Sequence, residues 1–553
     1  MTSGPHRPAP PAMRALAIAA TSLTLLFGCT PTAARPALPP PPFAPERTAT
    51  VAATVAAAVE ATPVPPEEGD WAIANGGIRN TRARAGGFDP AAGETLAVEW
   101  EYALTSSGPY GYAAGAPAIV DGVVYVQSLG GDVTALELAS GERLWRYDGG
   151  IPTAGPAGPA VASGRVYVTN GGARLQALEA ATGKPLWTVP LEKDGYQPIV
   201  VGDTVIVGTG NQAHVGGNSG FVHAFNAANG ARRWSFQVVE EGFWGNRALN
   251  SGGGVWSPPA VDLERRRVYV GTGNAGPYPG TRNYPNATSR PGPNLYTSAL
   301  VALDVETGAL DWYYQVVERG LFDHDFQSSP IVVDAVTSGT RRSLVIGAGK
   351  VGEVVAFDAD TGRVVWRTAV GRHENDRLEA IPLGQAVLVY PGVFGGVETP
   401  MATDGHYVFV PVVNLPTRHT ATGHGASDGS SALVNASEAT SLSSGTGELV
   451  ALDIATGALT WRQEFDSPVF GAATVWGDHV YTATYDGRIR AFDRVTGAQV
   501  WTYDAGRGIN AWPAVSEEWM IWPIGLGPRP RIIAFHVAPP VTPTPTPGPP
   551  ATP

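Results

Sequence analysis

The chain of 553 residues contains a single cysteine, Cys29. One thiol rules out any disulfide within the chain, and the absence of a Cys-x-x-Cys-His motif rules out a covalently attached c-type haem. Charge is sparse, at 16% of residues, and basic residues are the minority: 37 Lys and Arg against 49 Asp and Glu, a net charge of −12. That balance argues against nucleic acid as a partner and reads as ordinary solubility. The apolar run at 15–27 is too short to span a membrane as a helix. Glycine and proline, by contrast, abound, with 69 and 49 copies, as a fold with many tight turns requires. The hydrophobic share of 43% is ample for a large core.

Length alone predicts three or four domains, but a repeat overrides that expectation. An eleven-residue phrase, Ala-Leu/Phe-acid-x-x-Thr-Gly-x-x-x-Trp, occurs seven times with small variations. The copies are ALELASGERLW (135–145), ALEAATGKPLW (177–187), AFNAANGARRW (224–234), ALDVETGALDW (302–312), AFDADTGRVVW (356–366), ALDIATGALTW (451–461) and AFDRVTGAQVW (491–501). Strand-like residues precede each copy, as in Val123-Val124-Tyr125-Val126. The Asp, Glu or Asn opens a turn by accepting backbone hydrogen bonds, and the following Gly supplies a positive φ. Each copy is therefore a β-hairpin whose second strand ends in tryptophan. One Trp buries about 150–250 Å², so a ring of them would hold neighbouring sheets together.

An eighth tryptophan, Trp100, ends a lone strand (ETLAVEWEYAL) with no hairpin partner. The missing partner stands at the other end of the chain, at 531–536 (RIIAFH). Pairing first strand with last closes a ring, and the expected fold is all-β, an eight-bladed β-propeller.

The termini read differently. Residues 1–29 carry Arg7 and Arg14, then the apolar run, then LFGC, the order of an export signal. The LFGC end resembles the lipobox of bacterial lipoproteins, whose cysteine is lipidated; the alternative is a plain signal peptide with an incidental Cys29. Residues 30–70 are Pro/Ala/Thr-rich with little to bury and read as a disordered linker. The Pro/Thr-rich tail 539–553 reads the same way, which leaves 71–538 as the propeller. The expected location is outside the cytoplasm, on a membrane through the lipid.

Successive closing tryptophans lie 45, 42, 47, 78, 54, 95 and 40 residues apart. A four-stranded blade needs about 40–45, so two intervals hold insertions. One, at 274–296, is rich in Gly, Pro, Asn and Tyr. The other includes the polar stretch 418–447, which reads as a surface loop; His419 and His424 within it are placed in no regular element and are not taken as a metal site.

The segment 211–350 is the most individual part of the chain. It holds GGGVWSPPAVD (252–262), VYVGTGN (268–274), NLYTSALVALDVETGALDWYYQ (294–315) and FDHDF (322–326), followed by GAGKVGEVVAFD (347–358). These segments resemble the quinoprotein alcohol dehydrogenases, secreted eight-bladed propellers that use pyrroloquinoline quinone (PQQ) and a metal ion. The start DWAIANGGIRNTRARAG (70–86) resembles that family's amino-terminal stretch.

The resemblance implies roles residue by residue. Asn274 matches the side-chain amide ligand to the metal. Asp323 matches the catalytic carboxylate, also at the metal, which takes the alcohol proton. Asp325 matches an extra carboxylate of lanthanide-using members, a sensible addition for a harder, more highly charged cation. Trp256 matches the indole on which the flat cofactor rests, and Lys350 the basic residue near the reactive quinone carbonyl. The cofactors implied are PQQ with Ca²⁺ or a lanthanide; the substrate implied is a small alcohol or sugar. With no haem motif, the electron acceptor is a separate protein. Each residue also has an ordinary structural reading: Asn274 in a left-handed turn, Asp323 and Asp325 as solvated loop acids, Trp256 as packing, Lys350 in a solvated turn.

The chain departs from that pattern at three places. No Glu stands in 208–220, where the family's Glu ligand belongs; Gln212 or His214 occupies the neighbourhood. The family's adjacent-cysteine ring is impossible, and its cofactor-binding Arg has no match in 154–164. Two other readings stay open. One is a scaffold without chemistry, a repeat-built lipoprotein resembling BamB that holds a protein partner. The other is a sugar- or polymer-binding propeller using Tyr278, Tyr284 and Trp244, aromatics expected to be exposed.

Overall fold

The computed structural model describes residues 69–210, 216–424, 442, 444–506 and 508–539. Every described residue belongs to the one unit Val59–Pro553. Cys29, the export signal, residues 30–68 of the linker, residues 540–553 of the tail, Gln212 and His214 lie outside the described residues.

Eight antiparallel sheets form the ring. Seven take consecutive stretches: 118–147, 160–190, 199–237, 260–315, 331–369, 402–465 and 474–504. The eighth pairs Thr95–Ala103 with Arg531–Ala538, then Trp519–Ile524 and Ala514–Val515. Thr95–Ala103 and the last strand share one blade, as the sequence predicts, while the short strand Ala83–Arg84 pairs in parallel with 475–476.

The repeat explains itself in the register. Every Ala of the phrase faces its Trp directly across the hairpin, and the register shifts just after the Ala. Trp100 faces Ala534 in the same way. The turn acid does what its chemistry predicts: Asp304 Oδ1, for example, accepts from the Thr307 amide and hydroxyl, both at 2.8 Å.

The tryptophans then stitch blade to blade. The indole N–H groups of Trp100, Trp145, Trp187, Trp234, Trp366 and Trp461 each donate to a main-chain carbonyl of the next blade at 2.8–3.2 Å. Each ring also rests on the turn glycine of that blade. A Cβ on Gly141, Gly183, Gly230, Gly308, Gly362, Gly457 or Gly497 would lie 2.5–2.8 Å from the preceding Trp. The Gly is thus required twice, for φ of 68–73° and for the ring. Gly308→Ala is expected to destabilise the fold by about 2–4 kcal/mol through strain and overpacking, read by urea unfolding; an unchanged midpoint would remove the stitch from this account.

The stretch 71–82 fills the axis. Its carbonyls accept from the inner strands of six blades, through the amides of Ile119, Val161, Val261, Val332, Thr403 and Val475. Buried Arg82 donates to the carbonyls of Ala473, Ala74 and Pro513 and to Thr474 Oγ1. Trp71 lies under the guanidinium groups of Arg82 and Arg84, 5.3 and 5.1 Å away. No helix among the described residues is long and apolar enough to cross a membrane.

Residues 425–441 and 443 of the second insertion lie outside the described residues, but 417–424 depart from the expectation of a plain surface loop. Thr417–Thr420 pairs with Ala386–Val389 and with Gly423–His424, and His419 faces His424 across that hairpin. Both histidines therefore lie in regular structure, and His419 is buried with its ring 4.9 Å from Phe322. The physical reason is the neighbouring insertion. Asn286 donates to the carbonyl of Ile381 and accepts from its amide, and its own amide donates to Ala421. Ala287, Leu321, Phe322, Ile381, Val389 and Ala421 form a small core of their own, which orders both insertions into one cap.

Candidate active site

The loops that enter the inner strands and those that join second to third strands converge at one end of the ring. Trp256 precedes the inner strand Ala260–Asp262, and Asn274 follows Arg267–Gly271. Asp323 and Asp325 precede Ile331–Thr337. Lys350 sits in the turn between Thr340–Ala348 and Glu353–Asp358.

The side chains of Trp256, Asp323, Asp325 and Lys350 meet, and the main chain of Asn274 joins them. The Lys350 ammonium lies 2.8 Å from Asp323 Oδ2 and 3.4 Å from Asp325 Oδ2. It also stands 5.7 Å from the centre of the Trp256 ring. Trp256 Nε1 donates to Asp325 Oδ2 at 3.2 Å, and the main-chain N–H of Asn274 donates to Asp325 Oδ1 at 2.5 Å. All but Trp256 are buried, so Asp323 and Asp325 are not solvated loop acids and Lys350 is not a solvated turn residue.

The electrostatics follow from that burial. Burial works against the Lys350 ammonium, yet Asp323 and Asp325 outweigh it and hold its pKa well above the ordinary value. Burial pushes the Asp325 carboxyl up to about 6, with Lys350 pulling the other way and Asp323 adding repulsion. Burial likewise lowers His324, whose Nε2 lies 3.3 Å from the Pro391 carbonyl.

Three further groups belong here. Tyr278, from the first insertion, has its hydroxyl raised well above 10 by burial and by Asp323, to which it hydrogen-bonds. That placement corrects its expected exposure: Tyr278 faces Asp323, and Trp244 is half-buried, which leaves Tyr284 as the exposed ring of the three. The buried hydroxyl of Tyr196 is raised by burial and by nearby acids including Asp325. Glu398, in the loop before Ala402–Thr403, is pushed up to about 8 by burial, opposed by Lys350 and reinforced by Asp325 and Asp323.

These shifts carry a sign. Asp325 and Glu398 both bind protons more tightly in the folded chain, so their contribution is full at low pH and is lost as pH rises from about 4 towards 8. Metal-free protein is expected to lose thermal midpoint between pH 5 and pH 8, and Glu398→Gln to lose less. Equal slopes for the two proteins would contradict the placement of Glu398.

Comparison with known proteins finds the same resemblance. The family model described as glucose/ethanol/alcohol dehydrogenase, β-propeller domain (PQQ), matches residues 192–373, which contain all five residues named from sequence. The quinohemoprotein alcohol dehydrogenase of Comamonas testosteroni is 27% identical over 515 residues, covering 80% of this chain and 70% of that protein. The chain is similar to the quinoprotein alcohol dehydrogenases.

The crystal structure of that Comamonas enzyme superposes with a TM-score of 0.72 at 24% identity, covering 84% and 80% of the two chains. Quinohemoprotein alcohol dehydrogenase ADH IIB of Pseudomonas putida is 26% identical, over 72% of this chain and 65% of its own. A europium-containing methanol dehydrogenase shares the fold, with a TM-score of 0.71 at 20% identity over 85% and 98% of the chains. A second model, described as outer membrane protein assembly factor BamB, matches 352–517, where the repeat dominates.

The sequence pointed to five of the residues brought together here and not to Glu398, Tyr278 or Tyr196 as their neighbours. Glu398 had a signal: it is the one acid in the otherwise apolar and glycine-rich stretch 391–402.

The donor chemistry fits a hard cation and a flat quinone. Two Asp, one Asn and one Glu offer oxygen, as calcium or a lanthanide requires. A Cβ at Gly254 would meet only Trp256 Cδ1 at 3.8 Å and Gly210 Cα at 3.9 Å, so space lies open beside the indole. Among the described residues no three acid, imidazole or thiol groups stand preassembled around one point; the Lys350 ammonium bridges the two aspartates.

Proposed function

We propose that this protein is a PQQ- and metal-dependent dehydrogenase that oxidises an alcohol and passes the electrons to a separate acceptor. The observation that carries the reading is the buried Asp323–Lys350–Asp325 group beside the Trp256 indole. Trp256 would seat the quinone, and Asn274, Asp323 and Asp325 would hold the cation. When bound, the pair supplies a hydride acceptor and a Lewis acid.

The chain's own residues do the rest. Asp323, held by the Lys350 ammonium and the Tyr278 hydroxyl, is oriented to take the hydroxyl proton of the alcohol. The Lys350 ammonium would place positive charge beside a bound quinone. The cap formed by the two insertions walls the site through Phe322 and Tyr278 and limits water around Asp323.

The proposal extends to location. LFGC at 26–29 supports export and lipid anchoring at Cys29, which puts the enzyme outside the cytoplasm on a membrane. The acceptor is then a separate protein, since the sequence holds no haem-attachment motif.

The test is a dye-linked assay on protein reconstituted with PQQ and calcium or lanthanum, across primary alcohols and glucose. Dye reduction that needs both quinone and metal supports the enzyme. No turnover on any member of the panel favours the scaffold, for which the buried charges have no use.

A further inference from the structure

We infer that Glu398 is a ligand to the cation, supplying from the sixth blade the carboxylate that segment 208–220 does not contain. The inference rests on the quinone-and-metal reading above and names a donor that reading lacks.

Main-chain geometry brings Glu398 to the site. The Val397 amide donates to the Gly349 carbonyl at 3.0 Å, and Gln327 Nε2 donates to the Val397 carbonyl at 3.1 Å. Gly396 lies against the Lys350 main chain so closely that a Cβ there would stand 2.6 Å from its carbonyl oxygen. The segment 396–398 is thereby fastened to the turn that carries Lys350. The Glu398 side chain shares its electrostatic surroundings with Lys350, Asp323 and Asp325.

The carboxylate itself is incomplete. Glu398 is half-buried, but its Oε1 is shut off from solvent and has no hydrogen-bond partner among the described residues. A fold that buries a carboxylate oxygen normally supplies a donor; a buried one without a donor needs another partner, and a bound ion is one such explanation. Glutamine would occupy the same volume at lower cost.

Charge points the same way. With Asp323, Asp325 and Glu398 ionised, Lys350 is the one basic side chain named at the site, and the group carries two negative charges in excess. A divalent cation neutralises that excess, and a trivalent one overshoots it by a single charge. Oxygen-only donors select a hard ion in either case.

The test uses terbium(III) as probe with the folded protein treated with chelator. Emission sensitised by tryptophan reports occupancy; Trp256, hydrogen-bonded to Asp325, stands beside the proposed ion. Glu398→Gln is expected to weaken terbium binding by tenfold or more with an unchanged circular dichroism spectrum. Glu398→Asp, with the charge kept and the reach shortened, should bind between the two. Should Glu398→Gln bind as the parent does while Asp325→Asn loses the ion, Glu398 is no ligand and the metal reading stands. Should the parent take up neither terbium nor calcium, the metal reading falls and this inference with it.

Discussion

Asp323→Asn is expected to lower kcat for alcohol oxidation by about 10²–10⁴-fold, the range usual for a positioned general base. The amide keeps the size of the side chain and can still accept from Lys350 and Tyr278 through its oxygen. It cannot take a proton at working pH. Quinone affinity should stay within a few-fold, because the Trp256 platform and Asp325 are untouched. The measurement is steady-state dye reduction beside calorimetric quinone binding on the same preparation. A variant turning over within about threefold of the parent, well short of that range, would remove Asp323 from the proton transfer.

Lys350→Met is the second large effect. The ammonium is buried between Asp323 at 2.8 Å and Asp325 at 3.4 Å. Removing one partner of a buried ion pair costs about 3–5 kcal/mol, because the remaining charge is left uncompensated. The loss should be greatest above pH 8, where Asp325 and Glu398 are ionised, and smaller near pH 5, where both take up protons. Added calcium or lanthanum should restore part of it by supplying positive charge to the same acids. Thermal midpoints at the two pH values, with and without metal, check all three statements. A variant as stable as the parent at pH 8 would mean the three acids are not held by this ammonium.

The fold was readable because its unit is local. Ala and Trp ten positions apart are cross-strand partners of one hairpin, and the turn between them is built from Asp, Thr and Gly with known preferences. Closure was readable because Trp100 lacked a hairpin partner that 531–536 supplied. The site was a different problem. Trp256, Asn274, Asp323, Asp325 and Lys350 sit in loops of different strands, and no spacing rule connects residues that meet only through blade packing. They were reached through resemblance, not through periodicity. Glu398 escaped because it occupies a loop where an acid is ordinarily solvated, and only the packing of Gly396 on Lys350 shows otherwise. His419 escaped because a Thr-rich stretch reads as loop until the facing strand at 386–389 is in place.

The central claim is a quinone-and-metal site at one end of this propeller. The most direct measurement is calorimetric titration of the chelator-treated protein with PQQ, without metal and then with calcium or lanthanum. The account predicts one site per chain, binding that requires the metal, and its loss in Asn274→Ala and Asp325→Ala. No heat of binding with either metal, from protein whose circular dichroism shows an intact propeller, would contradict it.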